Sequence, residues 1–201
     1  MVSSVAGILL AAGEGSRLGQ PKALVELGGQ TLAERGVALL RDGGADPVVV
    51  VTGAAPVDIP GVRIVDNPQW RSGMGSSLVA GLQALEHQLT AGAAVIALAD
   101  QPLVGAQAVR RLAAAYRDGA GVVVAAYAGK PRNPVLIARE HWAAVAGLAA
   151  GDTGARPFLR AHPELVTLVE CGDTGSPDDV DTPEDLTRVR GAATARSAEK
   201  S

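Results

Sequence analysis

Four consecutive valines at 48–51, followed at once by Thr-Gly, limit the possible folds more than any other stretch. A strand made of them has no polar face, so it must be covered on both sides, as in a parallel sheet between layers of helix. Comparable runs recur along the chain: VAGILLAAG at 5–13, GVRIVDN at 61–67, AAVIALAD at 93–100 and GVVVAAYAG at 121–129, with weaker ones in NPVLIA at 133–138 and LVTLVE at 165–170.

Segments of helical period lie between these runs. TLAERGVALLRDGG opens with the capping-box pair Thr31 and Glu34 and closes on Gly43 and Gly44. SSLVAGLQALEHQL at 76–89 lines up Leu78, Leu82, Leu85 and Leu89 on one face. Helices are also expected in 106–119, in 140–151 and in 182–190, where Thr182 caps and Pro183 takes the first turn. The alternation predicts one three-layer α/β/α domain over residues 1–190 with a mostly parallel central sheet, and a small, polar, disordered tail at 191–201.

Composition narrows the function. Hydrophobic residues are 47% of the chain but aromatics only 2%, so the core is built from Ala, Val and Leu. A net charge of −3 excludes a general electrostatic grip on nucleic acid or an anionic membrane. No run reaches the ~18–20 apolar residues of a membrane span, and the N-terminal run reads as a first strand rather than a signal peptide. The single cysteine, Cys171, excludes an internal disulfide, which suits a reducing, cytoplasmic setting.

In such sheets ligands bind beyond the carboxyl ends of the strands. That singles out 13–22, Thr52 and Gly53, Asp66 and Asn67, and Asp100. The stretch 8–24, ILLAAGEGSRLGQPKAL, holds Gly13, Gly15 and Gly19 with Arg17 and Lys22. It is no P-loop, because Lys22 follows Pro21 and precedes Ala23. It fits a dinucleotide fingerprint poorly, since the glycine spacing is one residue too long and no acid ends the second strand. An NAD-dependent oxidoreductase is therefore the outsider. A loop wrapping a triphosphate fits better: glycines bring backbone N–H groups to the phosphates and two cations neutralise them. An ordinary glycine-rich surface loop stands beside that reading.

Asp100 ends a strand ahead of Gln-Pro-Leu, where it is placed either to hold Mg²⁺ against a phosphate or to cap a turn. Asp178, Asp179 and Asp181 form a second acid group; Asp181 either completes a metal site or complements the helix that Thr182 begins. Gly75, Ser76 and Ser77 start a helix whose N–H groups attract anions. Arg132, Asn133 and Arg156 are either clamps on an acceptor or solvated surface groups. His87, His141 and His162 have no zinc spacing, and no G-x-S-x-G elbow is present. An attacking phosphate, ionised at neutral pH, needs no general base.

These residues carry a likeness. LLAAGEGSRLGQPKAL resembles the signature of nucleotidyltransferases that consume a nucleoside triphosphate and release pyrophosphate. Together with DNPQWRSGMGSSLVAGL, ALADQPLV, NPVLI, GDTGARPFL and DVDTPEDL, it is similar to molybdenum cofactor cytidylyltransferases and their guanylyltransferase relatives, to about residue 190. The resemblance implies a Rossmann-like fold of the nucleotide-diphospho-sugar transferase type. It implies nucleotide contacts at Leu10, Ala11, Ala12, Gly13, Gly15, Arg17, Lys22, Thr52, Gly53, Asn67, Gly75, Ser76 and Ser77. Catalysis falls to Arg17, Lys22 and Asp100, with Mg²⁺ on Asp100 and Asp181 and a molybdopterin-like acceptor near Arg132, Asn133 and Arg156. A monomer that transiently meets a cofactor-accepting enzyme is expected. LAAG at 10–13 leans towards CTP over GTP; Arg-Asn-Pro in place of the relatives' Gly-His-Pro sets the acceptor apart.

Overall fold

A computed structural model of the chain describes residues 4–87 and 90–198. In chain order the elements are β1 (Ser4–Leu10), β2 (Glu26–Leu27), β3 (Gln30–Thr31), α1 (Leu32–Asp42), β4 (Val48–Thr52), β5 (Arg63–Asp66), α2 (Met74–Glu86), β6 (Ala91–Leu98), α3 (Ala106–Arg117), β7 (Val122–Tyr127), β8 (Lys130–Ala138), α4 (Trp142–Leu148), α5 (Arg156–Ala161), β9 (Val166–Glu170) and α6 (Pro183–Ala198). Seven strands form the central sheet in the order β5-β4-β1-β6-β8-β7-β9.

All pairings in that sheet are parallel except those of β8, which runs antiparallel to β6 and β7. The reversal has a local cause. Only Ala128 and Gly129 separate β7 from β8, and both have positive φ (52° and 73°), the requirement of a two-residue turn that matches strand twist. A parallel return would have needed a crossover helix.

The valine run behaves as its composition demands. Val48, Val49, Val50 and Val51 are 4%, 1%, 0% and 0% exposed. Val48 and Val50 pack with Leu9, Val37, Leu40, Val109 and Leu112 beneath α1 and α3. Val49 and Val51 pack with Ile8, Leu78, Leu82, Leu85, Trp142 and Phe158 beneath α2, α4 and α5. The inner strands feed two cores by simple alternation, which makes the domain three layers. A third cluster, Val25, Leu27, Leu32, Leu103, Val180 and Val189, fastens the β2–β3 hairpin to α6.

Thr31 and Glu34 form the expected capping box. Leu78, Leu82 and Leu85 of α2 are buried as expected, and Leu89 lies outside the described residues. Four elements depart from the sequence reading. The hairpin β2–β3 and the short helix α5 were not anticipated, and α6 continues through the expected tail as far as Ala198. Among the described residues no helix is long and apolar enough to cross a membrane.

Candidate active site

Three parallel strands, β1, β4 and β6, end side by side. The Ala11 N–H donates to Val51 O (2.9 Å), the Ala99 N–H to Leu10 O (3.1 Å) and the Ala54 N–H to Ala12 O (3.3 Å). Ala11 and Ala12 therefore remain stitched to the sheet, and the chain leaves it at Gly13. It returns when the Lys22 N–H donates to Gly13 O at 3.2 Å. Gly15 makes this closure possible: its φ is +64°, and a Cβ there would stand 2.1 Å from Gln20 O. Arg17 is exposed in the short turn Ser16–Leu18, whereas the Lys22 stem lies along Gly13.

The lysine joins two distant carboxylates. Its Nζ donates to Asp100 Oδ2 at 2.7 Å and also to Asp181 Oδ1. The Asp181 segment is held over the sheet by the Val180 N–H, which donates to Asp100 O at 2.8 Å. Buried Gln101 secures it further, its Nε2 donating to Asp179 Oδ1 (2.8 Å) and Pro177 O (3.0 Å). Asp181 does not cap α6. Thr182 does, as expected: its Oγ1 accepts from the Asp185 N–H at 3.2 Å, and the Asp185 carboxylate accepts in return from the Thr182 N–H at 3.0 Å. The Asp181 carboxylate is thereby left for Lys22.

Burial by itself pushes the Lys22 ammonium down, but the charge and hydrogen bond of Asp100, then those of Asp181, outweigh it and leave the group above its ordinary value. Asp179 is shifted up, chiefly by desolvation and also by the charges of Asp100 and Asp181; its bond from Gln101 acts the other way. Hard oxygen donors converging on one point suit a small divalent cation. Among the described residues no three His, Cys, Asp or Glu side chains gather as a metal site. Two carboxylates are nonetheless what a Mg²⁺ that takes its other ligands from phosphate and water requires.

Of the other expected nucleotide contacts, Thr52 and Ser77 are buried, whereas Asn67 and Ser76 line an open cleft of about 810 Å³ together with Asp66, Gln69 and Gln83. Thr52 is 2% exposed and its hydroxyl lies 3.4 Å from Val65 O. Gly53 abuts Trp70 so closely that a Cβ would come within 2.5 Å of it. Asn67, 5% exposed, donates to Ser76 Oγ (2.9 Å) and Ser77 Oγ (3.0 Å) and accepts from the Gln69 N–H (3.0 Å). Their polar groups thus tie the end of β5 to the first turn of α2. The start of α2 is not open either: the Met74 N–H faces Asp152 Oδ1 at 3.3 Å, and residues 149–151 press on Gly73 and Gly75.

Of the residues expected at the acceptor, Asn133 and Arg156 line one small pocket of about 40 Å³ with Leu10, Met74, Leu78 and Ile96. Arg132 is absent from that lining; it is exposed, and its Nη1 donates to Pro131 O at 2.9 Å. Gln101, Met74 and Asp152 belong to the region but were not singled out. Gln101 directly follows Asp100, and the other two lie inside the quoted blocks SGMGSSL and GDTGAR. Cys171 is fully buried, and its thiol is pushed up mainly by that burial, so it is packing rather than a nucleophile.

A glycine loop closing on a lysine, with two aspartates at the carboxyl end of a mostly parallel sheet, is the arrangement of the α/β nucleotidyltransferases. The chain belongs to the MobA-like NTP transferase domain family, whose model matches residues 7–166. Asp181 lies beyond the matched segment, so its place rests on the geometry above. The chain is similar to nicotine blue oxidoreductase of Paenarthrobacter nicotinovorans, 42% identical over 92% of this chain and 96% of that protein. It is 41% identical to a probable molybdenum cofactor guanylyltransferase of Opitutus terrae over 61% of this chain and 60% of the other. A solved structure of a Mycobacterium sp. strain JC1 homologue of Mycobacterium tuberculosis Rv0371c superimposes with a TM-score of 0.82 at 33% identity, covering 97% of this chain and 99% of that one.

Proposed function

We propose that the protein transfers a nucleoside monophosphate from a nucleoside triphosphate to a phosphorylated, molybdopterin-like acceptor and releases pyrophosphate. The observation that carries this reading is the meeting of Lys22, Asp100 and Asp181 at the mouth of the glycine loop. The backbone of Leu10, Ala11 and Ala12 meets the base, and CTP is favoured over GTP. Gly13 and Gly15 let the loop's N–H groups approach the phosphates, while Arg17 and Lys22 neutralise the triphosphate and the departing pyrophosphate.

Asp100 and Asp181 would hold a Mg²⁺, which would supply positive charge to stabilise the reacting phosphate. The residues do the rest by positioning. Asn133 and Arg156 orient the acceptor beside Leu10, so that its phosphate, already ionised, faces the α-phosphorus in line. No side chain has to remove a proton. The reaction belongs in the cytoplasm, and the protein acts as a monomer that passes its product to a cofactor-accepting enzyme. A phosphorylated sugar in place of the pterin is the alternative acceptor.

The test is pyrophosphate release from CTP and GTP in the presence of molybdopterin, with and without Mg²⁺. Release that needs acceptor and metal supports the reading; nucleotide binding without release indicates a regulator on the same fold. A second reading, oxidoreductase, is favoured by the 42% identity to nicotine blue oxidoreductase over nearly the whole chain. Consumption of NADH or NADPH with nicotine blue, with no pyrophosphate released in the first assay, would replace the transferase reading with that one.

A further inference from the structure

The transferase reading gives Lys22 to the triphosphate, yet the structure gives its ammonium to the carboxylates. Nζ stands 2.7 Å from Asp100 Oδ2 and is bonded to Asp181 Oδ1, in the gap where those carboxylates would hold a divalent cation. Both cations do not fit between the same two oxygens, because each requires them within bonding distance and the cations repel one another. The backbone of Lys22 is anchored by its bond to Gly13 O, so the side chain alone is able to move. Its stem already runs beside Gly13, whose missing side chain leaves the path to the loop clear.

We propose that Lys22 is the resident counter-ion of the Asp100–Asp181 pair and yields that position to the divalent cation, so that metal entry and delivery of the ammonium to the triphosphate are one exchange. The proposal rests on the transferase reading and adds an order of events to it. Without the ammonium, Asp100 and Asp181 face each other with Asp179 close behind. Lys22 therefore remains until a metal replaces its charge. Once replaced, it is a cation on a flexible four-carbon stem beside a loop built for phosphates. Metal accompanied by triphosphate is thus bound more readily than metal alone, because the nucleotide receives the displaced charge.

The test measures Mn²⁺ binding by electron paramagnetic resonance on nucleotide-free wild-type protein and Lys22→Met, with Asp100→Asn as the site control. Removing the competing charge should tighten Mn²⁺ binding at least about tenfold. In parallel, wild-type protein is acetylated with and without Mn²⁺, with exposed Lys130 as the internal reference. Mn²⁺ should raise the labelling of Lys22 relative to Lys130, and a non-hydrolysable CTP analogue should lower it again. This second measurement decides the matter if Lys22→Met fails to fold. Equal Mn²⁺ binding by both proteins, with Lys22 labelling unchanged by metal, overturns the exchange and leaves the transferase reading standing. No Mn²⁺ binding by either protein, with or without nucleotide, overturns both.

Discussion

Gly75 lies so close to Ala150 that a Cβ on it would stand 2.7 Å from the Ala150 nitrogen. The first turn of α2 and the segment ahead of α5 are thus in backbone contact, next in the chain to Met74, which lines the pocket of Asn133 and Arg156. Gly75→Ala should force the two apart, with a loss of roughly 1–3 kcal/mol in chemical denaturation. Its kinetic effect should fall on the acceptor, whose KM rises while that of the nucleotide changes little.

Gly15→Ala should act on the other substrate. The glycine occupies left-handed backbone space, and its Cβ would run into Gln20 O at 2.1 Å, an atom of the main chain that cannot rotate away. The strained conformation costs about 1–3 kcal/mol before the clash is counted. Calorimetric titration should show triphosphate affinity falling by at least about tenfold, with the sheet intact by circular dichroism.

The two aspartates that hold Lys22 should not be equivalent. Asp100 is 20% exposed at its side chain and Asp181 42%. Asp100→Asn should reduce pyrophosphate release by at least about a hundredfold, as expected where charge stabilisation in a sheltered site is removed. Asp181→Asn should reduce it less, and more Mg²⁺ in the assay should restore part of the loss.

Glu170 offers a prediction in pH. Its carboxylate accepts from the N–H groups of Ala128, Gly129 and Gly172, each at 3.0 Å, and so clasps the β7–β8 turn from the end of β9. Those bonds, led by Gly129 and Gly172, hold its carboxyl below the ordinary 4.5. A depressed acid contributes stability above its unfolded value and loses it as pH falls through the folded one. Wild-type protein should therefore melt above Glu170→Gln at neutral pH, and the two melting curves should converge as the pH falls below the ordinary 4.5 and through the depressed folded value.

What the sequence discloses and what it hides divide along physical lines. The inner strands β1, β4, β6 and β7 are legible because each is a short run without a polar face, and α1 and α2 because a capping box and leucine spacing are local signals. α5 is not, being six residues led by Arg-Pro with Phe158 as its buried contact. The reversal of β8 turns on Ala128, a residue whose positive φ nothing in its identity announces. In the site, Lys22, Asp100 and Asp181 are each visible as a charge beside an apolar run, but their convergence on one point is a property of the sheet order. The burial of Thr52, Asn67 and Ser77 is likewise tertiary, since exposed and consumed polar groups look alike in sequence.

The contact between Lys22 and Asp181 spans 159 positions. At roughly 5–20 residues per second, a ribosome needs about 8–32 s to make the second partner after the first. Asp100 comes at about the midpoint, only 78 positions after Lys22. During synthesis the lysine therefore has one carboxylate for several seconds before it has two. The growing chain assembles the glycine loop and most of the sheet while it still lacks the second acid. Competence at this site is thus among the last things the nascent protein acquires, however early its core condenses.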